Sequence, residues 1–351
     1  MCVDDRAWMD AREFEDAVAT TNLLPGPAST QLAIYCAWRL RGMAGAILGG
    51  LCFIGPGLVL ILVLSSVFLA RHPADWILGA AAGAGAAVPA VALKAGWGLA
   101  PASWTRLGHG QAERLRWALY ALLGATVAAV AGTYLVLVLV ACGVTEILIR
   151  SPGRPSPRRP APGGALAVVA HGAVAGGLGA LAWVALKVGA LSYGGGFVIV
   201  PLMQHDAVTT YHWLTGAQFL NAVALGQVTP GPVVLTVAVV GYGAAGIGGG
   251  LLATLVAFAP SFAFVLIGGR HFDQIRTNRA VGSFLTGAGP AVIGAIAGSA
   301  IPLGLSFQHL WQIPVLAGAL VWLLVARRGV VSGLLLAGAV GVLLALAGVP
   351  A

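Results

Sequence analysis

The chain has 351 residues, of which 59% are apolar and only 9% are Asp, Glu, Lys or Arg, against roughly 25% charged residues in soluble domains. So few charges cannot cover a water-facing surface, and apolar runs of about 20 residues fit bilayer-spanning helices rather than barrel strands. The formal net charge of +8 is no nucleic-acid signature, because the arginines stand in short clusters between apolar runs, the positive-inside pattern of a polytopic protein.

The chain opens on a polar, acidic dozen residues without the signature of a cleavable leader. Residues 14–40 then form two apolar pieces of about 13 residues separated by Pro25-Gly26-Pro27. Thirteen helical residues reach only about 20 Å, short of a hydrocarbon core of about 30 Å. The segment is therefore expected to enter the membrane and return as a broken-helix hairpin. Full crossings are expected near 44–70, 76–97, 117–131 and 133–149, with Arg39 and Arg41, then Arg106, Arg114 and Arg116, at one membrane face. A stretch rich in Pro, Arg and Gly, 150–164, reads as a cytoplasmic linker. Beyond it lie apolar runs near 180–203, 247–269, 281–303, 309–326 and 330–348, with a second hairpin, 215–245, broken at Pro230-Gly231-Pro232. The run 165–178 is read as not crossing.

The second half repeats the first. A shift of 205 places Trp8 on Trp213, Phe14 on Phe219 and Leu24-Pro25-Gly26-Pro27 on Thr229-Pro230-Gly231-Pro232. A shift of 204 then pairs Gly42 with Gly246, Pro56 with Pro260 and Gly83-Ala84-Gly85 with Gly287-Ala288-Gly289. The expected fold is an all-α polytopic membrane protein of two inverted-topology repeats, 1–149 and 165–351, with about nine full crossings plus two re-entrant broken-helix hairpins. Inverted repeats with broken helices are transporter architecture, with a site near the midplane where the breaks meet.

Helix starts at the two Pro-Gly-Pro breaks would aim free amides and positive dipole ends at that point, which suits an anion. The candidate lining is Asn22, Pro25, Gly26, Pro27, Ser29, Thr30 and Gln31 from one half, and Gln227, Thr229, Pro230, Gly231, Pro232 and Thr236 from the other. A third block, Tyr193-Gly194-Gly195-Gly196 followed by Pro201, fits either close helix packing or a further break. Lys187 precedes it inside an apolar run, where a cation costs about 2.5–3.5 kcal/mol and either is kept for a partner or a substrate or snorkels to the cytoplasmic face. Lys94, the other lysine, lies near a loop, and snorkelling to the interface accounts for it. Of the eleven carboxylates none is central in an expected crossing, and only Glu13, Glu15 and Asp16 in the first hairpin could serve ion coupling. No paired acids, Ser/His/Asp set or metal cluster stands in the sequence, so an enzyme acting on lipid phosphates is the weaker reading and no cofactor or metal is expected. Cys2, Cys36, Cys52 and Cys142 have no ligand spacing and read as small hydrophobes.

The two Pro-Gly-Pro blocks, with Glu13-Phe14 before the first and Gln227 before the second, and Lys187 leading to Gly194-Gly195-Gly196 and Pro201, resemble the chromate ion transporter family in its fused two-domain form. Tyr193 and Asn22 depart from the Phe and Gln usual there. The resemblance implies export of chromate from the cytoplasm across the inner membrane and chromate resistance, with sulfate as a related or competing anion. It also implies that the first half lacks its own Gly-rich helix, whose counterpart would precede Met1. Partners implied are the oxyanion and the lipid bilayer, not nucleic acid, with a homodimer left open as the assembly. Moving a dianion outward across a negative-inside potential releases about 4.6 kcal/mol per 100 mV, so export needs no coupling ion.

Overall fold

The computed structural model describes residues 8–21, 26–70, 73–105, 107, 110–130, 132–150, 177–192, 196–268 and 278–350. The linker beyond Arg150, the run 165–176 and the residues Asn22, Pro25, Tyr193, Gly194 and Gly195 lie outside them. The fold is all-α. The first hairpin is α1 (Ala11–Thr21) followed by α2 (Ala28–Phe68), and α2 is itself broken at Arg41 and Gly42. Then come α3 (Asp75–Trp104), α4 (Gln111–Val130) and α5 (Leu135–Arg150). The second part holds α6 (Leu178–Leu191) and α7 (Ile199–Gln204), which continues as a π-turn over His205–Thr210. Next are α8 (Gly216–Val228), a 3₁₀ turn Val233–Leu235 and α9 (Thr236–Gly268). The chain closes with α10 (Arg279–Gly298), α11 (Ala300–Leu305), α12 (Gln312–Leu320) with its π-turn Val321–Val325, and α13 (Val330–Leu346).

The internal repeat survives in backbone detail. Gly26 and Gly231 hold φ of 122° and 134°, and Gly42 and Gly246 hold 59° and 62°. The residues before the latter pair, Arg41 and Ala245, match as well, with φ −141° and −153°. At both breaks the Gly takes a ψ near −150°, a conformation closed to side chains. Each hairpin therefore ends at a glycine that redirects the chain into a long spanning stretch.

Crossing direction follows from contacts between loops. Lys94, late in α3, donates to the Arg328 carbonyl between α12 and α13, and the carboxylate of Glu113, at the start of α4, meets Arg150 at the end of α5. These positions share one end of the bundle, the arginine-rich end, where Arg114 sits 5.9 Å above the Trp104 ring as an interfacial anchor. At the far end Gly132 faces His205, Gly216 faces Ser306 and the Trp311 indole donates to the Pro350 carbonyl. No Lys or Arg among the described residues lies there. The first hairpin consequently opens from the arginine-rich end and the second from the far end, so the repeats are inverted.

The two halves interlock rather than sit side by side. α3 packs on α12 and α13 of the other half, while its counterpart α10 packs on α4 and α5. Gly83 meets the Ala337 carbonyl and Gly294 the Ala121 carbonyl so closely that a Cβ would collide with backbone. In lipid, where apolar side chains gain little by leaving the solvent, such close backbone approach supplies much of the helix–helix attraction. Large apolar side chains instead point outward, as Leu122, Leu255 and Leu343 do.

One element differs from the sequence expectation. The run 180–203 is not a crossing. Nineteen residues separate Lys187 from Asp206 in sequence, about 28 Å along a straight helix, yet their side chains meet at 2.6 Å. α6 runs beside α9, with Gly189 against the Ala257 carbonyl, and the chain then doubles back through α7. The run is a third re-entrant hairpin, opening from the far end. The described residues on either side, Arg150 at the arginine-rich end and Gly177 at the far end, leave the orientation of the second repeat as read, and the expectation for 165–178 falls outside the described residues.

Gly294→Leu should overpack the α10–α4 contact and cost about 1–3 kcal/mol, seen as a lowered midpoint for thermal aggregation of detergent-purified protein. Gly318→Ala, where the added Cβ meets open space, should leave that midpoint unchanged.

Candidate functional site

Three chain breaks converge on one point. The Gly26 amide, at the first Pro-Gly-Pro, donates to the Ser192 carbonyl at the end of α6 at 2.6 Å. Gly196, on the return from that end, has φ of 90°, and its Cβ position lies 3.3 Å from the Val233 side chain just after the second Pro-Gly-Pro. Each Pro-Gly-Pro also rests on the long helix of the opposite half. A Cβ on Gly57 of α2 would collide with the Pro230 carbonyl, and the Cβ position of Gly26 lies 3.2 Å from Ser261 Oγ of α9. Gly57 and Ser261 are equivalent under the repeat, each 15 residues past its redirecting glycine, or about 22 Å into a helix. Because α2 and α9 run oppositely, both contacts fall near half-depth.

Helix initiation differs in detail from the sequence reading. The helices begin after the second proline of each block, not after Pro25 and Pro230. Pro27 caps α2 with φ −70° and ψ 105°, and Pro232 precedes the 3₁₀ turn with φ −73° and ψ 138°. Neither proline offers a side-chain cap. The amide-rich, electropositive ends therefore face the convergence point uncapped by any carboxylate among the described residues.

The predicted residues separate. Gly26, Pro27, Gln31, Thr30, Gly196, Thr229, Pro232 and Thr236 are buried at or next to the breaks, and Gln227 is half-buried. Ser29 is exposed and turned away, because one helical step of 100° carries it off the face that holds Thr30 and Gln31. Pro230 and Gly231 are exposed, leaving the second tip more open than the first. The Thr229 and Thr236 hydroxyls are committed to the Leu225 and Val233 carbonyls.

Two residues absent from the sequence-derived list complete the site. Ser192 and Ser261 are fully buried, and their hydroxyls, like that of Thr30, have no hydrogen-bond partner among the described residues. Such orphaned hydroxyls cost about 1–3 kcal/mol each in a dry interior. The cost is sustained where something else pairs with them. The donors available are neutral hydroxyls and helix-terminal dipoles, with no carboxylate among the described residues in their company, an arrangement suited to an anion rather than to a metal cation.

Lys187 has a protein partner: its ammonium is paired with Asp206 on the returning arm of the third hairpin. Asp206 is nine-tenths buried, and the sequence places it in an external loop because the apolar run ends at Met203. Burial first, then the neighbouring Asp206 charge, push the Tyr211 phenol above its ordinary value in the following loop. Of the acids expected to serve coupling, Glu13 is held by Arg39, Glu15 is exposed, and the Asp16 side chain lies outside the described set. Glu146, which is 2% exposed, is bound by Arg116, Arg150 and Tyr120 at the arginine-rich end.

Inverted repeats, broken helices meeting at half-depth and a donor-lined meeting point without a carboxylate among the described residues define a membrane transporter. The family is independently fixed. The chromate transporter family model matches residues 1–147 and 179–346, and the chain belongs to that family. It is 31% identical over 309 residues to the chromate transport protein of Cupriavidus metallidurans, covering 86% of this chain and 75% of that one. It is 28% identical over 379 residues to the chromate transport protein of Pseudomonas aeruginosa, covering 93% and 86%. The probable chromate transport protein of Synechococcus elongatus is 28% identical over 314 residues, covering 88% and 78%. No solved structure matches.

Asp206→Asn should destabilise the protein by about 1–3 kcal/mol by stranding a half-buried ammonium, and Lys187→Met on top of it should recover most of that loss. Thermal aggregation of the two singles and the double measures the coupling; strictly additive losses would mean that the pair is not energetically real.

Proposed function

We propose that this protein carries chromate out of the cytoplasm across the inner, plasma membrane and so confers chromate resistance, with sulfate as the competing anion. The observation that carries the reading is the cluster of buried hydroxyls on Thr30, Ser192 and Ser261, unpartnered among the described residues, at the place where two helix N-termini and the tip of the third hairpin meet. A tetrahedral dianion offers four acceptor oxygens to such donors. Gly26, Pro27, Gln31, Gly196 and the Thr229-to-Pro232 turn form the backbone of the binding site, with the sequence-adjacent Asn22, Pro25, Gly194 and Gly195 assigned to the same three tips.

Sidedness follows from charge. The arginine-rich end is cytoplasmic by the positive-inside rule, so the first hairpin opens from the cytoplasm and the second and third from outside. The two repeats, divided at 150–164, then rock about the shared site. Outward movement of the dianion down the membrane potential supports a gradient of more than about a thousandfold per 100 mV. The Lys187–Asp206 pair is neutral as a unit and adds no net charge, so the passage of a dianion is governed by dipoles and hydroxyls. That is a site which binds without trapping.

Ser192→Ala combined with Ser261→Ala should reduce chromate accumulation by inverted vesicles energised interior-positive by about tenfold or more, with protein still present in the membrane. Accumulation that requires a proton gradient at zero potential would overturn the uniport reading.

A further inference from the structure

Away from the midplane cluster, at the far end of the bundle, a cavity of about 230 Å³ lies between α3, α8 and the start of α12. Its polar lining is Thr215, Gln218, Asn221, Gln308, His309 and Gln312, with no Asp, Glu, Lys or Arg among the described residues. Gln312 is 4% exposed and builds the wall: its side-chain oxygen accepts from the Gln308 and His309 amides at 2.8 and 3.1 Å, and its amide donates to the Ala82 carbonyl at 3.1 Å. Thr215 and Gln218 close a reciprocal capping box. The side-chain amides of Asn221 and Gln308 and the His309 ring nitrogens make no hydrogen bond among the described residues, and the His309 ring is held by stacking on Trp311. The cavity is thus a rigid, neutral chamber with spare donors.

The repeat sharpens its character. The shift of 205 sets Thr215, Gln218 and Asn221 on Asp10, Glu13 and Asp16. In the first hairpin three acids occupy these positions; in the second, three neutral polar side chains do. The capping role is common to both, since Asp10 accepts from the Glu13 amide at 2.7 Å just as Thr215 accepts from Gln218. The charge is therefore not needed for helix capping, and its absence leaves a chamber from which a dianion is not repelled. The N-terminal ends of α3, α8 and α12 all border it, which adds a favourable potential for negative charge.

We propose that this cavity is a second binding site, an outer vestibule in which a tetrahedral oxyanion of the sulfate and chromate class is held by Asn221, Gln308 and His309. As the exit station of the transport path it rests on the reading given above; as a binding site it stands on the cavity itself. With neutral donors only, it binds weakly and releases readily. About 230 Å³ holds such an anion with part of its hydration shell, given about 30 Å³ per water.

The test uses the full chain with its four native cysteines replaced by alanine and Ala217→Cys in the cavity wall. An impermeant maleimide is applied from outside to right-side-out vesicles. Sulfate is the probe, because chromate would oxidise the thiol. Sulfate, and not gluconate at equal ionic strength, should slow labelling at least threefold. Asn221→Leu with His309→Leu should abolish the protection, while Asn221→Gln with His309→Gln, which keeps donors in place, should retain it. Equal labelling with sulfate and gluconate, or protection unchanged in the leucine variant, would overturn the vestibule. Sulfate uptake by inverted vesicles of the same protein separates the two claims. Protection without uptake fails the transport reading and leaves the vestibule standing; uptake without protection does the reverse.

Discussion

A bilayer offers nothing to an unpaired N–H or C=O, so a helix that breaks inside it must be covered by protein. That constraint organises the molecule. Three hairpins break at half-depth, and the breaks pack on one another and on the long helices: Gly26 against Ser192 and Ser261, Gly196 against Val233, Pro230 against Gly57. None could exist alone at the cost of several exposed peptide groups. The site is thus a product of mutual burial, and its polarity is the residue of that bargain. Peptide groups are satisfied pairwise while a few hydroxyls and two helix ends remain over.

The duplication explains why the breaks meet. Two copies inserted in opposite senses bring equivalent points to equal depth from opposite faces, and the exchange of α3 and α10 between halves locks them at that depth. Symmetry is not complete, and the departures are chemical. Gly57 and Ser261 occupy equivalent positions, but one makes room for a carbonyl and the other presents a hydroxyl. The third hairpin covers the first tip and leaves Pro230 and Gly231 of the second exposed. Such inequality makes the two halves chemically different at equivalent points of the repeat.

Much of this was legible in the residues because it is written in backbone-breaking chemistry. Pro-Gly-Pro at a constant shift located both hairpins, and Gly42 and Gly246 located the turns that end them. Two things were hidden. Hydropathy cannot distinguish a run of 24 apolar residues that spans from one that doubles back, so 180–203 read as a crossing even though Gly194-Gly195-Gly196 marked the bend. The same misreading exiled Asp206 to a loop and left Lys187 without its partner. Ser192 and Ser261 carry no sequence signal at all: a serine in an apolar helix is ordinary, and only the absence of a partner in three dimensions sets these two apart.

The pairing of Lys187 with Asp206 has a consequence for how a dianion moves. A bare lysine between the far end and the tip of the third hairpin would bind a divalent oxyanion tightly, in a medium where Coulomb attraction is weakly screened, and tight binding opposes turnover. Pairing removes the monopole and leaves a dipole that braces the arms of the third hairpin. What then faces the anion is a set of oriented dipoles and hydroxyls that lose little when it leaves. The low charge density of the chain is, on this view, as much a property of the path as of the membrane around it. The same logic extends to the far-end cavity, where Thr215, Gln218 and Asn221 stand in place of acids. In the proposed path, from the midplane to the far end, the groups assigned to the anion attract it through geometry and not through fixed charge.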